Sequence, residues 1–340
     1  MEYGYSLIKH IKINNTDPIC AIDLNNELLL FGTMLGYCGF YVINTKKLIL
    51  VSENEDEHII ATQIKNNKLV FAVGDEKIYI VEKKNNNYNN CSVKEVQNYT
   101  DDADHYKKCN EMYCMLRDDF LFSIEIKIPG EEEKGIDIRI CDWVISNYEK
   151  NKSFNGSIKL SNYWVPFDFD GVLLIYIDFL EKKNRNLKIY NFREKKFILV
   201  KKLWEMKDGE FIGHISHIKI LKNDKIFLVH NYIYCQIRDL NFNLIKEFIH
   251  KGKEIIACDI FYNDNNELKI VLLDLNCSVF IYNEKNEFEE YLFNLHKIYY
   301  IEKEIKDQKF FSLGYPYFIK MYKKLFAITT DQGCFLFKRD

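Results

Sequence analysis

The stretch Glu27–Val51, ELLLFGTMLGYCGFYVINTKKLILV, contains three short apolar runs that are separated by two turns. The first turn surrounds Gly32–Gly36, and the second is the polar run Asn44–Lys47. Short apolar runs that end at Gly, Asn or Lys are typical of antiparallel β-strands. Together with the preceding apolar run Ile19–Leu24, the stretch predicts one sheet of four antiparallel strands.

The same four-strand pattern recurs seven times along the chain. The second strand of each repeat is the easiest to recognise, because its near-continuous apolar character predicts burial on both faces. The predicted second strands are Leu28–Phe31, Lys68–Val73, Phe120–Ile126, Val172–Ile177, Lys225–His230, Leu268–Leu273 and Leu325–Thr329. The repeats recur at intervals that scatter around the ~40–45 residues of a β-propeller blade.

The two ends of the chain favour a closed ring of such blades. Residues 5–13 form a lone alternating strand before the first complete repeat, and the last repeat ends at Gly333–Asp340 after only three strands. Pairing the first segment with the last would supply the missing strand and remove two exposed sheet edges. We therefore predict an all-β fold: one domain over residues 1–340, a seven-bladed β-propeller closed by the N-terminal strand 5–13, which completes the C-terminal blade.

Composition agrees with a β-rich protein and excludes some partners. Abundant Tyr (23) and Phe (25) favour strands, and 47% hydrophobic residues are enough for a sizeable core. The net charge of −3 gives no general attraction to nucleic acid, so nucleic acid is not an expected partner. The apolar runs are also shorter than the ~18 residues of a membrane-spanning helix, and the N-terminus lacks the apolar region of a secretory signal.

The cysteine pattern bears on the cellular compartment. Ten Cys residues are scattered through the chain, mostly inside apolar runs, and no CxxC pair occurs. This predicts buried thiols in a reducing compartment rather than a disulfide framework. An intracellular, cytoplasmic location is therefore expected, while nuclear and cytoskeletal locations stay open.

Several fragments near the third strands resemble the WD40-repeat family, and the resemblance covers essentially the whole chain. In that family these positions hold a turn and an alternating strand that ends in Trp-Asp; here the Asp is present as Asp142 and Asp239. Gly213-His214 matches the Gly-His pair of the family. The matching fragments are GTMLGYCGFYVIN, IDIRICDW, LKIYNF, YCQIRDL, CSVFIYNE and TDQGCFLFKRD.

The resemblance implies that certain turns of each repeat share one rim of the molecule, and on that rim we expect an acidic sector. An acidic sector could steer a basic segment of a partner protein. Its residues would be Glu53, Glu55, Asp56, Glu57, Asp75, Glu76, Asp101, Asp102 and Asp104, followed by Glu131-Glu132-Glu133. The opposite rim would be basic, with Lys46-Lys47, Lys83-Lys84, Lys150, Lys152, Arg193, Lys195-Lys196, Lys285 and Lys323-Lys324. An alternative function is therefore the binding of RNA or phospholipid at the basic rim.

Two local strings raise the possibility of chemistry. Phe167–Leu173, FDFDGVL, is similar to the nucleophile motif of haloacid-dehalogenase-type phosphohydrolases, which would make Asp168 the nucleophile and Asp170 the acid/base. The residues that follow this string predict another strand–turn–strand and no crossover helix. A hairpin turn at Asp170-Gly171 is therefore the competing interpretation. His214 and His217 are three apart in a strand and face opposite sides, which does not favour a metal site.

Two further features leave alternatives open. Residues 290–306 have apolar side chains near helical spacing, so the segment is either a short helix or a long outer strand with a linker. Tyr163, Trp164 and Trp204 lie near predicted turns, where they are candidate aromatic contacts for a partner or residues that pack between blades.

The sequence thus favours a non-catalytic scaffold that mediates protein–protein interactions as a subunit of a hetero-complex. No catalytic, cofactor-binding or metal-binding residues are predicted. The step from fold to function rests on the family resemblance.

Overall fold

The structure is a computed structural model in which almost all regular structure is β-strand. It describes residues 4–13, 17–53, 58–65, 68–73, 77–84, 87–97, 109–117, 120–127, 138–147, 152–161, 167–179, 185–203, 214–284, 288–297 and 315–339. In this part of the chain, no helix has the length and apolar character that are needed to cross a membrane.

The strands follow one another in groups of four, which we name sheets 1 to 7. The N-terminal strand is β1 (Tyr5–Ile11). Sheet 1 contains β2 (Ile19–Leu24), β3 (Leu28–Thr33), β4 (Tyr37–Val42) and β5 (Lys47–Glu53). Sheet 2 contains β6 (Ile59–Lys65), β7 (Lys68–Val73), β8 (Lys77–Lys84) and β9 (Asn87–Gln97). Sheet 3 contains β10 (Cys109–Arg117), β11 (Phe120–Lys127), β12 (Ile138–Asn147) and β13 (Lys152–Ser161).

The C-terminal half continues the same order. Sheet 4 contains β14 (Phe167–Phe169), β15 (Leu173–Phe179), β16 (Arg185–Asn191) and β17 (Lys196–Lys202). Sheet 5 contains β18 (Ile215–Leu221), β19 (Lys225–His230), β20 (Tyr234–Asp239) and β21 (Leu244–Ile249). Sheet 6 contains β22 (Ile255–Tyr262), β23 (Leu268–Asp274), β24 (Ser278–Asn283) and β25 (Phe288–Asn294). Sheet 7 contains β26 (Pro316–Tyr322), β27 (Leu325–Thr330), β28 (Gly333–Arg339) and the N-terminal β1.

The prediction of one closed seven-bladed propeller is wrong. The described strands form separate four-stranded antiparallel sheets, and none of these sheets closes on itself. Strand β1 does pair with β28, from Tyr5 opposite Arg339 to Ile11 opposite Cys334. That pairing completes one open sheet with the order β1-β28-β27-β26. The spacing of the sequence repeats specifies how many residues form one four-stranded sheet. It does not specify how the sheets associate, because that depends on the packing between their faces. The described residues thus form a multi-sheet β fold in which neighbouring sheets of one unit pack against each other through apolar side chains.

The chain divides into two compact units. Unit 1 comprises Met1–Val73, Tyr79–Glu95 and His250–Asp340, and therefore sheets 1, 6 and 7 with most of sheet 2. Unit 2 comprises Gly74–Ile78 and Val96–Ile249, and therefore sheets 3 to 5. Whether residues 1–340 behave as a single domain stays a prediction.

Within each unit, the first strand of one sheet lies beside the first strand of the next. In unit 1 the neighbours are β22 with β26, β26 with β2, and β2 with β6; in unit 2, β10 lies near β14 and β14 near β18. Apolar side chains fill the space between neighbouring sheets. One core cluster, for example, joins Val271 and Leu273 of sheet 6 to Phe326 and Phe335 of sheet 7.

The second strands whose side chains are described are buried along most of their length, as the sequence predicted. All residues of β3 and β27 are buried, and only the first residue of β7 and of β19 is partly exposed. The fourth strand is different: in β17 and β21 every residue is at least partly exposed. Gly32 in β3 shows how closely two sheets approach, because a Cβ atom there would lie 2.2 Å from Cγ2 of Ile59.

A bulge at the start of the first strand recurs in several sheets and was not predicted. The register between the first and second strands shifts by one residue at Cys20, Ile60, Ser216, Ile256 and Tyr317. A bulge inserts one unpaired residue and redirects its side chain. The sequence carries no clear signal for it, because the inserted residues share neither size nor polarity.

The segment 290–306 was predicted as either a short helix or a long outer strand, and its described residues contain a part of each. Strand β25 extends to Asn294 and a helical turn follows at residues 295–297; residues 298–306 lie outside the described part of the chain.

The cysteines whose side chains are described are thiols outside any disulfide: Cys20, Cys38, Cys235, Cys258, Cys277 and Cys334. All are buried except Cys20, which is partly buried, so this part of the prediction is confirmed for these residues. Burial raises the pKa of the Cys20, Cys38 and Cys277 thiols to about 12. The Cys20 thiol also donates a hydrogen bond to the Ile59 carbonyl, 2.9 Å away in the neighbouring sheet.

Candidate partner-binding surfaces

The predicted acidic sector cannot be placed from the described residues. Glu53 is the last residue of β5, and its side chain is outside the description. The other predicted members are outside the described residues altogether: Glu55, Asp56, Glu57, Asp75, Glu76, Asp101, Asp102 and Asp104. The same holds for the candidate aromatic contacts Tyr163, Trp164 and Trp204. These assignments stay predictions.

The string FDFDGVL forms the first hairpin of sheet 4. Asp170 Oδ1 accepts hydrogen bonds from the backbone amides of Val172 and Leu173, at 2.8 and 2.7 Å. Gly171 has a φ of 96°, which an L-residue rarely adopts. Asp170-Gly171 therefore forms the turn that the competing interpretation predicted.

Asp168 holds two sheets of unit 2 together. It is almost completely buried, and its Oδ2 atom accepts a hydrogen bond of 2.7 Å from the backbone amide of Ile220 in β18. The Lys219 ammonium lies 3.7 Å from Asp168 Oδ1. Both carboxylate oxygens thus face β18, the first strand of the next sheet.

The same contact recurs in unit 1, and we call it the inter-sheet aspartate. Asp23 Oδ2 accepts a hydrogen bond of 2.7 Å from the Ile64 amide. Asp259 Oδ2 accepts one of 2.9 Å from the Met321 amide, and its Oδ1 lies 3.3 Å from the Lys320 ammonium. The sequence signal is a single Asp inside an otherwise apolar first strand, and it is recognised only when the first strands of different repeats are compared.

The two histidines considered for a metal site have local partners instead. Arg185 Nη1 donates to His214 Nδ1 at 3.3 Å, and burial together with the Arg185 charge lowers the pKa of His214. His217 Nδ1 lies 3.0 Å from the Ser216 hydroxyl. Within the described ranges, no group of three or more His, Cys, Asp or Glu side chains could hold a metal ion.

In sheets 1, 5, 6 and 7 the turn between the second and third strands is described; it lies at one end of the strands, which we call the loop edge. In each of these four sheets, the turn lies against the segment that leads into the first strand. The contacts are Leu35 N to Asp17 Oδ1 (2.9 Å), Asn231 N to His214 O (2.8 Å), Leu275 N to Glu254 O (2.9 Å) and Tyr315 N to Asp331 Oδ2 (2.7 Å). These hydrogen bonds, from backbone amides to backbone carbonyls or Asp carboxylates, hold the loop edge of these four sheets in a defined shape.

Large apolar side chains are exposed along the loop edge in unit 1, on three sheets that neighbour one another. We call this set the apolar edge patch: Met34 and Leu35 on sheet 1, Leu275 on sheet 6, and Tyr315, Tyr317 and Phe318 on sheet 7. Each of these residues is between 36% and 46% exposed. Exposed aromatic and aliphatic side chains on a rigid edge are typical of a binding surface.

Tyr317 is held in position within this patch. It is the bulged residue of β26, and its hydroxyl donates a short hydrogen bond to Asp331 Oδ1. That hydrogen bond, assisted by partial burial, raises the pKa of Tyr317 to about 12. The ring of Tyr315 lies 5.8 Å from that of Tyr317. The two aromatic rings therefore form a fixed pair.

The predicted basic residues lie partly within the described side chains. Lys46, Lys47, Arg193, Lys195 and Lys196 are exposed in or beside the turns between third and fourth strands. Lys323 lies in a turn between first and second strands, where its ammonium contacts Asp264 at 2.9 Å. The side chains of Lys83, Lys84, Lys150, Lys152 and Lys285 lie outside the description.

No family model matches the chain. No curated protein matches it either. Among solved structures, the chain is similar to the computationally designed protein Ika8, with a TM-score of 0.54 and 8% sequence identity over 98% of this chain and 99% of that chain. At this identity the likeness shows the fold alone. Solved chains that match number 1080, and a fold shared so widely does not specify a function.

Proposed function

We propose that the protein is a non-catalytic binding platform that holds partner proteins within a larger assembly. The observation that carries this proposal is the apolar edge patch, in which large side chains are exposed on the same edge of three neighbouring sheets. Soluble domains rarely leave such side chains together in water unless they meet a partner. The predicted kinship with the WD40-repeat family is part of this proposal.

The way in which the patch is built supports this proposal. The backbone amides of Leu35 and Tyr315 donate hydrogen bonds to the carboxylates of Asp17 and Asp331, and the Asp331 carboxylate also accepts one from the hydroxyl of Tyr317. Side chains that are held in place before binding lose little conformational entropy on binding. Aromatic residues in such positions are frequent hot spots of protein interfaces.

The alternatives receive less support from the described residues. Asp168 and Asp170 both accept backbone hydrogen bonds within their own fold, so the phosphohydrolase interpretation gains no support from the geometry. Binding of RNA or phospholipid at the basic residues has no specific observation in its favour, because the described members are solvated turn residues and Lys323 faces Asp264. The acidic sector stays a second candidate docking site for a basic segment of a partner.

A co-purification experiment with matched variants tests the proposal. The patch variant carries Leu35→Ser, Leu275→Ser and Tyr315→Ser, and the control variant carries Leu244→Ser, Ile245→Ser and Ile249→Ser on β21. All six side chains are exposed apolar residues. Partners captured by the wild-type chain from its own cells are identified, purified and titrated against each variant.

The patch variant is expected to lose at least about tenfold in affinity for the purified partner, whereas the control variant binds like the wild type. Equal affinity for wild type and patch variant would refute the assignment of the patch. Charge reversal at Glu55, Asp56 and Glu57 in the same assay tests the acidic sector: if the partner is retained with unchanged affinity, that sector is not its docking site.

A further inference from the structure

The outer strand of sheet 4 combines features of a second docking site that is independent of the apolar edge patch. Strand β17 pairs with β16 on one side, and no described strand pairs with its other side. An outer strand of this kind presents backbone amide and carbonyl groups that can pair with another chain. Phe197, Ile198 and Val200 are also exposed, by 46%, 38% and 53%.

Phe197 is fixed although it is exposed. Its ring lies 5.1 Å from the ring of Tyr190 in an edge-on arrangement, and the ammonium of Lys188 lies 5.5 Å from the ring centroid. Tyr190 and Lys188 both belong to β16. The neighbouring strand therefore holds Phe197 as an anchor beside the open edge.

The pairing of β17 limits where another strand could be added. The register between β16 and β17 shifts so that Ile198 is a bulged residue. Beyond this bulge, Leu199 to Lys202 pair regularly with Ile189 to Asn186. A regular ladder of this length offers a straight open edge, with Phe197 and Ile198 next to it.

Charge indicates which chemistry this edge would accept. The stretch from Arg193 to Lys202, REKKFILVKK, carries five basic residues and one acid, a net charge of +4. The Glu194 carboxylate contacts the Lys196 ammonium at 2.8 Å, and both side chains are more than half exposed, so this pair contributes little. The excess positive charge surrounds the exposed apolar side chains.

We propose that β17 is a docking strand for an acidic, extended segment of a partner protein, which adds to sheet 4 as a fifth strand beside Leu199–Lys202. Backbone hydrogen bonds would supply affinity, as in other strand-addition complexes, and acidic residues of the segment would face the lysines. A second copy of β17 is disfavoured because two copies of the stretch Arg193–Lys202, each with a net charge of +4, repel each other. A nucleic acid would leave Ile198 and Val200 in water.

The test uses the full chain and a fluorescent peptide, Glu-Glu-Val-Thr-Val-Thr-Val-Glu-Glu. A second peptide replaces both Thr residues with Pro, which keeps the charge and removes two backbone donors. An oligothymidylate serves as an anionic probe that cannot form a strand. The site variant carries Lys196→Glu and Lys201→Glu, and the matched control carries Lys246→Glu and Lys251→Glu at β21. Binding is followed by fluorescence anisotropy and by amide hydrogen exchange.

The acidic Thr peptide is expected to bind the wild-type chain and the β21 control equally, and the site variant about tenfold more weakly. Binding should slow amide exchange in residues 196–202 and leave residues 244–249 unchanged. Thermal unfolding verifies that the site variant is folded; if it is not, Lys201→Glu alone is used in the same assay. The proposal is overturned if the Thr peptide does not bind, if the Pro peptide or the oligothymidylate binds equally well, or if the protection appears elsewhere.

Discussion

Sheet 4 contains two strands with opposite relations to function. Its first strand β14 begins the string FDFDGVL, which resembles a catalytic motif, yet Asp168 is buried and accepts a hydrogen bond from the next sheet. Its outer strand β17 carries no known motif, yet it exposes Phe197 and Val200 among lysines. The difference teaches that a short motif reports composition, whereas burial and hydrogen bonding decide whether its side chains are available to a ligand.

The largest effect that separates the two strands is expected from Asp168→Ala. This change removes a charge-assisted hydrogen bond and leaves the Ile220 amide without its acceptor, so unfolding free energy should fall by about 2–3 kcal/mol. Urea unfolding measures the loss, and Asp168→Asn, which keeps an acceptor oxygen, should lose less. A metal-dependent phosphatase activity that disappears in Asp168→Asn would instead establish the catalytic interpretation.

A smaller effect is expected from Gly171→Ala in the same hairpin. The φ of 96° is unfavourable for alanine, so the cost should be about 1–2 kcal/mol in unfolding free energy. If Gly171→Ala unfolds at the same urea concentration as the wild type, the positive φ at this turn does not destabilise the alanine variant and the prediction is wrong.

Moving charge from β17 to β21 sharpens the comparison further. Strand β21 exposes Leu244, Ile245 and Ile249 to a similar extent, but Lys246 and Glu247 balance in charge. Asn241→Lys with Asn243→Lys, in the background of Lys196→Glu and Lys201→Glu, should restore binding of the acidic Thr peptide by about threefold to fivefold, which is below about 1 kcal/mol. No gain would show that exposed apolar residues and positive charge are together insufficient for docking.

The smallest effect concerns β26, a strand of sheet 7 that has both roles. The backbone amide of Met321 donates a hydrogen bond to the inter-sheet aspartate Asp259, while Tyr317 lies in the apolar edge patch. Because the pKa of Tyr317 is raised to about 12, its hydrogen bond stabilises the fold fully below about pH 10 and is lost as pH rises toward 12. Since Tyr317 is exposed, Tyr317→Phe should cost less than about 1 kcal/mol at pH 8, and the difference should vanish near pH 12. A difference that persists at pH 12 would contradict this assignment.

The sequence predicted the local structure well and the assembly poorly. The buried second strands follow from apolar runs in the sequence. The pairing of β1 with β28 follows from the strand that the last repeat of the sequence lacks. The closed propeller was wrong, since the association of sheets depends on contacts such as Asp23 with Ile64, which are far apart along the chain. The apolar edge patch was missed because Tyr315 and Leu275 are residue types that also occur in the core. Only their solvent exposure in the structure distinguishes them from core residues.

The contrast between β14 and β17 can be tested by measuring two properties of two variants together. Asp168→Asn and the double change Lys196→Glu with Lys201→Glu are each assayed for urea unfolding and for binding of the acidic Thr peptide. The first variant is predicted to lose stability while it retains binding in the folded state, and the second to lose binding while its stability is unchanged. The opposite assignment, with binding lost in Asp168→Asn and retained after the lysine reversals, would contradict the account.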